Sequence, residues 1–295
     1  MQIQWFPGHM ARARRLLGDQ LRRVDVVIEL CDARLPHASR NPELIALAKG
    51  KRRLLVLNKA DLADEAQTRQ WIAHFRTRGE QVFSFNASRG RAQDALKWIE
   101  QVTAGAVARQ AERGVHKTVR AMIVGVPNVG KSTFINRLNG TPVVEAADRP
   151  GVTRANRWVR VSPYLELLDT PGLLWPRLDD QTAAERLAWL GTIRDDILDV
   201  EGLALSLTET LLDVRPDVTM ARFKIPDASL RGVPLMEAVC KGRGFLLSGG
   251  NFDTERAARV ILDEFRAGKL GRITLELPRR KEHSCEPTPQ NDLQN

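Results

Sequence analysis

The sequence predicts an α/β protein in which a doubly wound sheet is followed by a small all-helical C-terminal domain. Short apolar segments alternate with helix-like segments through the first part of the chain, which is the pattern of such a sheet. After Pro176, apolar positions instead recur at helical intervals between glycine and proline residues. The predicted units are residues 1–178, residues 179–278 and a mobile polar tail at residues 279–295.

The composition is that of a soluble protein, with 43% hydrophobic and 27% charged residues among 295. No apolar run is long enough to span a bilayer, and the first residues lack the apolar stretch of a secretory signal. We therefore expect a cytoplasmic protein without a membrane partner. The net charge of +9 favours a polyanionic partner. The widely spaced Cys31, Cys240 and Cys285 indicate neither a disulfide framework nor a thiolate metal site.

The expected strands are short and mostly apolar; in chain order they are VDVVIELCDAR, RLLVLNK, QVFSFNA, RAMIVGV and YLELLDT. A helix is predicted at KSTFINRLNG, ending at Gly140. The helix-like segment from Lys97 to Val119 is interpreted as a connector between the third and fourth strands.

Residues 125–132, GVPNVGKS, fit the phosphate-loop pattern G-x-x-x-x-G-K-[ST]. Its glycines let the backbone N–H groups surround phosphates, Lys131 reaches the β and γ oxygens, and Ser132 binds Mg²⁺. The strand before the loop and the helix after it are the context that the motif requires, and an empty glycine-rich turn is the alternative. The expected phosphate-side residues are Asn128, Val129, Gly130, Lys131, Ser132 and Thr133.

A second phosphate-side motif is LELLDTPGLL, an apolar strand that ends at Asp169 and is followed by Gly172. The backbone N–H of Gly172 can meet a γ-phosphate, while Asp169 addresses Mg²⁺ through water. Between the two motifs, RPGVTRANRW offers Thr153 as a switch hydroxyl. The predicted ligands of Mg²⁺ are therefore Ser132, Thr153 and Asp169.

Base recognition is predicted upstream, where a strand runs into Asn58, Lys59 and Asp61. At this spacing a carboxylate can accept hydrogen bonds from guanine N1–H and N2–H₂, a pair of donors that adenine lacks. Such a site strongly rejects analogues that leave its polar atoms unpaired. The alternative interpretation of NKAD is a polar turn in which Asp61 caps a helix.

A second base-side loop is predicted at Asn86, Ala87 and Ser88, with the Ala87 N–H presented to guanine O6. Together these motifs resemble those of the Ras-like GTPases, except that base recognition precedes phosphate recognition. This is the order of circularly permuted GTPases, which is feasible because domain termini often lie close together. The predicted fold is thus a Ras-like GTPase sheet in circularly permuted order, with GTP or GDP across the C-terminal strand ends.

Five segments carry a closer resemblance: WFPGHMARA, CDARLPHASRNP, NKAD, GVPNVGKSTFINRL and DTPGLL. With them, the chain resembles the RbgA (YlqF) family of ribosome-assembly GTPases from Trp5 to about Pro278. The resemblance implies GTP hydrolysis coupled to late maturation of the large ribosomal subunit. It also implies that the helical domain contacts rRNA, so the expected partners are the subunit precursor and its rRNA. We expect a monomer.

Leu173 stands where Ras-like GTPases usually have a glutamine that orients the attacking water. Leucine cannot hydrogen-bond water, so His9 is a candidate for this role, because a neutral imidazole can position or deprotonate water. Ordering of the N-terminal turn, or RNA contact, is the alternative for His9. The predicted catalytic residues are His9, Lys131, Thr153 and Gly172.

Asn128 resembles the asparagine that ligates K⁺ in potassium-activated GTPases, where the cation takes the place of an arginine finger. The resemblance therefore adds K⁺ to Mg²⁺ as a candidate cofactor. A turn-forming role is the alternative interpretation of Asn128.

Basic residues that could bind phosphates occur in two regions, although a solvated face is the commoner meaning of such a run. The first comprises Arg12, Arg15, Arg22, Arg23, Lys49, Lys51, Arg52 and Arg53, and the second Arg256, Arg259, Arg266, Lys269 and Arg272. In the CDAR segment, Arg34 belongs to a structured loop or forms an ion pair with Asp32.

The sequence thus predicts a Mg²⁺-dependent GTPase that binds pre-ribosomal large-subunit RNA and departs after hydrolysis. Since neither a water-orienting glutamine nor an arginine finger is evident, RNA is expected to complete the site. A nucleotide-switched scaffold without hydrolysis is the alternative. A permuted GTPase of the small subunit is disfavoured because Cys and His ligands for zinc are not clustered.

Overall fold

The computed structural model describes residues 15, 17–112, 114, 118–145, 156–171 and 181–278. Several predicted features lie outside these residues, namely His9, Thr153, Gly172, Leu173 and the tail at 279–295. Among the described helices, none is both long and apolar enough to cross a membrane. Cys31 and Cys240 are buried free thiols.

The described strands form one six-stranded sheet in the order β3-β2-β1-β4-β6-β5. Their bounds are β1 Val26–Asp32, β2 Arg52–Asn58, β3 Gln81–Ser84, β4 Val119–Val124, β5 Arg157–Ser162 and β6 Leu165–Asp169. Neighbouring strands are parallel except for β5, which pairs antiparallel with β6. The five predicted strands and the mixed α/β fold are confirmed. The edge strand β5 was not predicted, because charged residues interrupt its apolar positions.

In the described part of the chain, residues 17–21 are helical and the helices with full bounds that flank the sheet are α1 Pro42–Leu47, α2 Glu65–Arg76, α3 Ala92–Ala111 and α4 Lys131–Asn139. The predicted end of α4 is confirmed, since Gly140 takes a positive φ of 80° and donates its N–H to Asn136 O. Asp64 caps α2 by accepting from Gln67 N. The alternative interpretation, in which Asp61 is the cap, is therefore wrong.

The C-terminal part of the described chain is helical, as predicted. Its helices are α5 Gln181–Trp189, α6 Val200–Val214, α7 Pro216–Phe223, α8 Gly232–Arg243 and α9 Thr254–Arg266. The short α7 was not predicted, because Pro216 looks like a break although proline is well suited to the first position of a helix. The domain boundary after residue 178 remains a prediction.

After α9 the chain returns to the first domain, where it runs alongside the CDAR and NKAD loops. Ile273 N donates to Leu62 O at 3.0 Å, and Leu275 N donates to Arg34 O at 2.9 Å. The buried carboxylate of Glu276 accepts from the backbone N–H groups of His37 and Ala38. Burial raises the pKa of Glu276, against the lowering effect of these bonds. The helical domain is therefore attached next to the predicted base-recognition loop.

Candidate nucleotide-binding site

A cavity of about 860 Å³ opens where the predicted base and phosphate motifs meet at the C-terminal edge of the sheet. The predicted site residues that line it are Asn58, Lys59, Asp61, Asn86, Ala87, Ser88, Asn128, Gly130 and Thr133. Segments separated in the chain by about seventy residues are thus brought to one place, as expected at the strand ends of a doubly wound sheet. Leu190, Gly191, Asp195 and Arg266 of the helical domain form the opposite wall.

The predicted phosphate loop has a backbone that only glycine can adopt at two positions. Gly125 has a φ of 153°, and a Cβ there would lie 2.5 Å from Leu30 O. Gly130 has a φ of 93°, and its Cβ would lie 2.5 Å from the side-chain nitrogen of Asn58. The two glycines therefore allow the loop to pack against β1 and against the NKAD motif.

Lys131 lies in the first turn of α4, and its side chain folds back into the phosphate loop. Its Nζ donates to Gly125 O at 3.1 Å and to Val126 O at 2.9 Å. Burial lowers the pKa of Lys131 to about 8, while the nearby Asp169 carboxylate opposes that shift. The ammonium donor thus stands where a phosphate would offer it better acceptors than two backbone carbonyls.

Asp169 ends β6 beside Lys131 and is 1% exposed. Its Oδ1 is buried and has no hydrogen-bond partner among the described residues. Burial raises the pKa of Asp169, although Lys131 and a hydrogen bond with Ser132 lower it. An orphaned carboxylate oxygen beside a hydroxyl is a donor set that fits Mg²⁺. The predicted third ligand, Thr153, lies outside the described residues.

Asn58 joins the two halves of the cavity. Its Nδ2 donates to Val129 O at 2.8 Å in the phosphate loop, and its Oδ1 accepts from Ala87 N at 3.0 Å in the second base-side loop. The Ala87 N–H, predicted to meet guanine O6, is thus engaged by Asn58 in this structure. Contact with O6 would require that this N–H be shared or released.

Asp61 and Asn86 occupy different environments on the base side. Asp61 is exposed at the cavity wall, where its carboxylate is open to an incoming donor pair. Asn86 Oδ1 instead accepts from Ser88 N and Arg89 N and so shapes its own loop. Asp61 therefore matches the predicted reader of the base better than Asn86 does.

Arg137 is a site residue that the sequence analysis missed. It lies on α4 and donates through Nε to Ala87 O at 3.1 Å, and its Nη2 contacts Ser88 O. The phosphate-loop helix thereby fixes the position of the base-side loop. The only signal in the sequence is a basic residue in the last turn of α4, which is common in helices without such a role.

The CDAR segment contacts Lys59 of the NKAD motif through an ion-pair network. Arg34 and Asp32 form the predicted ion pair, with Nε–Oδ1 and Nη2–Oδ2 distances of 2.9 and 2.8 Å. Lys59 Nζ lies 3.5 Å from Asp32 Oδ2. Burial by itself raises the pKa of Asp32, but Arg34 and Lys59 lower it to about 2. Arg34 Nη1 also donates to Phe265 O at 2.8 Å, linking the network to the end of α9.

Asn128 contacts the helical domain. Its φ is 60°, a conformation that asparagine tolerates in turns, and its Nδ2 donates to Gly191 O. A cation would be bound by the amide oxygen rather than by this nitrogen, so the K⁺ interpretation stays a prediction.

Three of the five cations in the second basic region have a carboxylate partner among the described residues. Arg266 binds both carboxylate oxygens of Asp195 at 2.7 and 2.8 Å. Arg259 pairs with Glu255 at 2.7 Å, and Arg272 lies 3.5 Å from Glu65. Of these three arginines, Arg266 is the one held largely away from solvent, so its charge is the least available to a phosphate, while Arg259 and Arg272 stay exposed.

Comparisons with known proteins agree with this geometry. A family model described as "50S ribosome-binding GTPase" matches residues 120–214. Ribosome biogenesis GTPase A of Bacillus cereus is 44% identical over 283 residues, which cover 94% of this chain and 95% of that protein. Mitochondrial ribosome-associated GTPase 1 of Bos taurus is 32% identical over 294 residues, covering 92% of this chain and 88% of that protein.

Solved structures extend the similarity to the whole fold. The GDP-bound structure of TM YlqF matches with a TM-score of 0.68 and 27% identity, covering 90% of this chain and 99% of that one. The GNP-bound crystal structure of YlqF from T. maritima matches with a TM-score of 0.66 and 28% identity, covering 91% and 99%. The chain is thus a guanine-nucleotide-binding GTPase of ribosome assembly, and it belongs to the ribosome biogenesis GTPase A (RbgA/YlqF) family.

Proposed function

We propose that this GTPase acts in the late maturation of the large ribosomal subunit, binding pre-ribosomal RNA and departing after GTP hydrolysis. The observation that carries the proposal is the match to a family described as a 50S ribosome-binding GTPase, in a chain whose cavity joins the phosphate and base motifs. The protein would act as a monomer in the cytoplasm, where ribosomal subunits are assembled.

In this proposal each part of the cavity has a separate task. Asp61 accepts the guanine N1–H and N2–H₂ donors, and Asn58 holds the base and phosphate loops in register. The phosphate-loop N–H groups and Lys131 bind the β and γ phosphates once Lys131 exchanges its backbone acceptors for phosphate oxygens. Ser132 and Asp169 would hold Mg²⁺, which supplies charge neutralisation at the phosphates when bound.

The remaining contributions come from residues outside the described part of the chain and from the partner. Thr153 and Gly172 would meet the metal and the γ-phosphate, and His9 would position the attacking water. Leu173 cannot do so, and hydrolysis is therefore slow until the ribosomal subunit completes the site. K⁺ bound by the amide oxygen of Asn128 would supply the charge that an arginine finger supplies elsewhere.

The test is GTP turnover by the purified protein alone, with large subunits and with small subunits, in K⁺ and then in Na⁺ buffer. We expect stimulation by large subunits only, and slower turnover in Na⁺. Equal stimulation by both subunits, or none, would contradict large-subunit specificity. Equal turnover in K⁺ and Na⁺ buffer would show that K⁺ is not a cofactor and that Asn128 does not have the proposed role of binding it.

Two variants separate binding from chemistry in the same assay. Lys131→Ala should abolish tight GTP binding, because the phosphates lose their ammonium partner. His9→Ala should bind GTP normally and turn over more slowly on large subunits. If the His9 variant is stimulated as strongly as the wild type, His9 has no part in hydrolysis.

A further inference from the structure

The edge of the sheet opposite the nucleotide cavity is basic. Strands β1 and β2 are parallel, with Val26 beside Arg52, so the segments that precede them meet at the N-terminal edge of the sheet. Lys51 Nζ donates to Val24 O at 2.9 Å and joins the two segments directly. We call this surface the basic edge; it consists of Arg22, Arg23, Lys49, Lys51, Arg52 and Arg53.

The cations of the basic edge are largely free of acidic partners. Arg22, Arg23 and Lys49 are exposed. The one ion pair found for these residues within the described chain is a 3.8 Å contact between Arg22 and the exposed Asp19, which is too long and too solvated to neutralise the arginine. In the helical domain, by comparison, Arg266 forms a partly buried pair with Asp195, while the pairs of Arg259 and Arg272 are exposed to solvent.

A cleft of about 450 Å³ opens into the basic edge between the starts of β2 and β3 and the middle of α3. Lys51, Arg52 and Arg53 line it. The Nη1 of Arg53 is buried and has no hydrogen-bond partner among the described residues. A buried guanidinium nitrogen without an acceptor is costly, and a ligand with anionic oxygens in the cleft would remove that cost.

The acidic residues of the cleft are already engaged. Glu80 accepts two hydrogen bonds of 2.7 Å from Arg40, and Glu29 accepts one of 3.0 Å from the same guanidinium. Glu29 also accepts from the backbone N–H of Asn41 at 3.0 Å. With both carboxylates held by Arg40, the described lining of the cleft leaves no unengaged acidic group, so its three cations favour an anionic ligand.

We propose that the basic edge binds the phosphate backbone of RNA, with one phosphate seated in the cleft at Arg53. A guanidinium fork matches phosphate geometry, and exposed cations on both sides of the cleft suit a polymer that continues beyond one phosphate. The proposal rests on the proposed RNA partner and adds where RNA is held. Because the edge lies across the sheet from the cavity, RNA and GTP can be bound together.

The test compares wild type with Arg53→Gln and with Lys49→Gln, an exposed change that is safe for folding. Affinity for a labelled RNA duplex of defined sequence and for purified large subunits is measured by anisotropy over a range of KCl concentrations. We expect weaker binding by each variant, and a log–log salt slope shallower by about 1 for each lost phosphate contact. The matched control is Arg259→Gln, which removes an exposed arginine that is paired with Glu255.

GDP affinity is measured in parallel and should be the same in all four proteins, which shows that the variants are folded. Equal RNA affinity and salt slope in wild type, Arg53→Gln and Lys49→Gln would overturn the inference and leave the proposed function intact. A wild type that binds neither RNA nor subunits would overturn the proposed function itself. If the variants keep RNA binding but lose binding of a polyglutamate peptide, the edge binds acidic protein and the RNA assignment is wrong.

Discussion

Single side chains near the cavity gain their roles from burial. Asn58 bridges two loops with both ends of its amide. Lys131 and Asp169 are each nearly inaccessible to solvent. Burial therefore lowers the pKa of Lys131 and raises the pKa of Asp169, which favours the neutral form of each side chain. Such a site is costly while no ligand is present, because two ionisable groups are kept from water with incomplete compensation. Nucleotide and metal would supply the missing charge partners.

The lowered pKa of Lys131 predicts a pH dependence of stability in the nucleotide-free protein. The folded pKa of about 8 lies below the ordinary value of 10.5, so the unfolded chain binds the proton more readily between these values. Unfolding free energy should therefore fall as the pH is lowered from 10.5 towards 8, by on the order of 2–3 kcal/mol from this residue. Lys131→Met should be more stable than wild type at pH 8.

Denaturation by urea at several pH values, without nucleotide, measures this effect. The exposed Lys49→Met is the control, since its ammonium is solvated. If Lys131→Met keeps the pH dependence of wild type between pH 8 and 10, the proposed cost of burying this lysine is absent.

At the scale of elements, the CDAR loop connects three parts of the fold. Arg34 is buried between Asp32 of β1, Lys59 of the NKAD motif and the last carbonyls of α9. It also lies over the Phe265 ring at 4.8 Å. One buried guanidinium therefore fixes the base-recognition loop and the end of a helix in the second domain.

Arg34→Met should destabilise the protein by about 3 kcal/mol, because it leaves the buried Asp32 carboxylate with only Lys59 as a charge partner. The Asp32 pKa should rise from about 2. Stability that this low pKa contributes is present above the ordinary value of 3.8 and is lost as the pH falls towards 2. Urea denaturation at a series of pH values from 7 down to about 2.5 measures both effects.

Two further variants separate loss of the ion pair from other effects of the Arg34 substitution. Arg69→Met removes an exposed arginine paired with Glu65 and should change stability little. The double variant Arg34→Met with Asp32→Asn should recover part of the loss, since no charge is then buried alone. A double variant no more stable than Arg34→Met would show that packing, rather than the ion pair, accounts for the effect.

At the scale of the whole molecule, the helical domain forms one wall of the nucleotide cavity. Asn128 in the phosphate loop donates to Gly191 O. Arg266 donates to Ala188 O at 3.0 Å and to Trp189 O at 3.1 Å, and so holds the turn that carries Gly191. Nucleotide-dependent changes in the phosphate loop therefore have a direct contact through which to reach the second domain.

Arg266→Gln should loosen this turn without unfolding either domain. Loss of its hydrogen bonds and of the Asp195 pair leaves residues 188–195 held by their own turn hydrogen bonds, by the Asn128 contact and by packing, so their amide exchange should quicken roughly tenfold to a hundredfold. Hydrogen exchange followed by mass spectrometry measures the effect, with Arg259→Gln as the control. Unchanged exchange at these residues would mean that Arg266 does not stabilise the wall.

The sequence by itself determined the local features of this GTPase. The phosphate loop, the NKAD motif and the apolar strands are each short continuous patterns, whose meaning depends on neighbours within a few residues. Gly140 ends its helix for the same local reason. The order of the motifs was enough to indicate circular permutation, because it is read directly along the chain.

Only the tertiary structure decided which distant groups meet. Asn128, Arg34 and Arg137 each donate to a backbone carbonyl that lies between 49 and 231 residues away along the chain, and these contacts follow from packing that no local pattern encodes. The same packing placed carboxylates beside three arginines of the helical domain, whereas the ion pair of the basic edge among the described residues is the long Arg22–Asp19 contact, although both regions appear in the sequence as similar basic runs. The sequence shows which residues are charged, whereas the neighbours of each side chain in the folded protein decide which of those charges can bind a ligand.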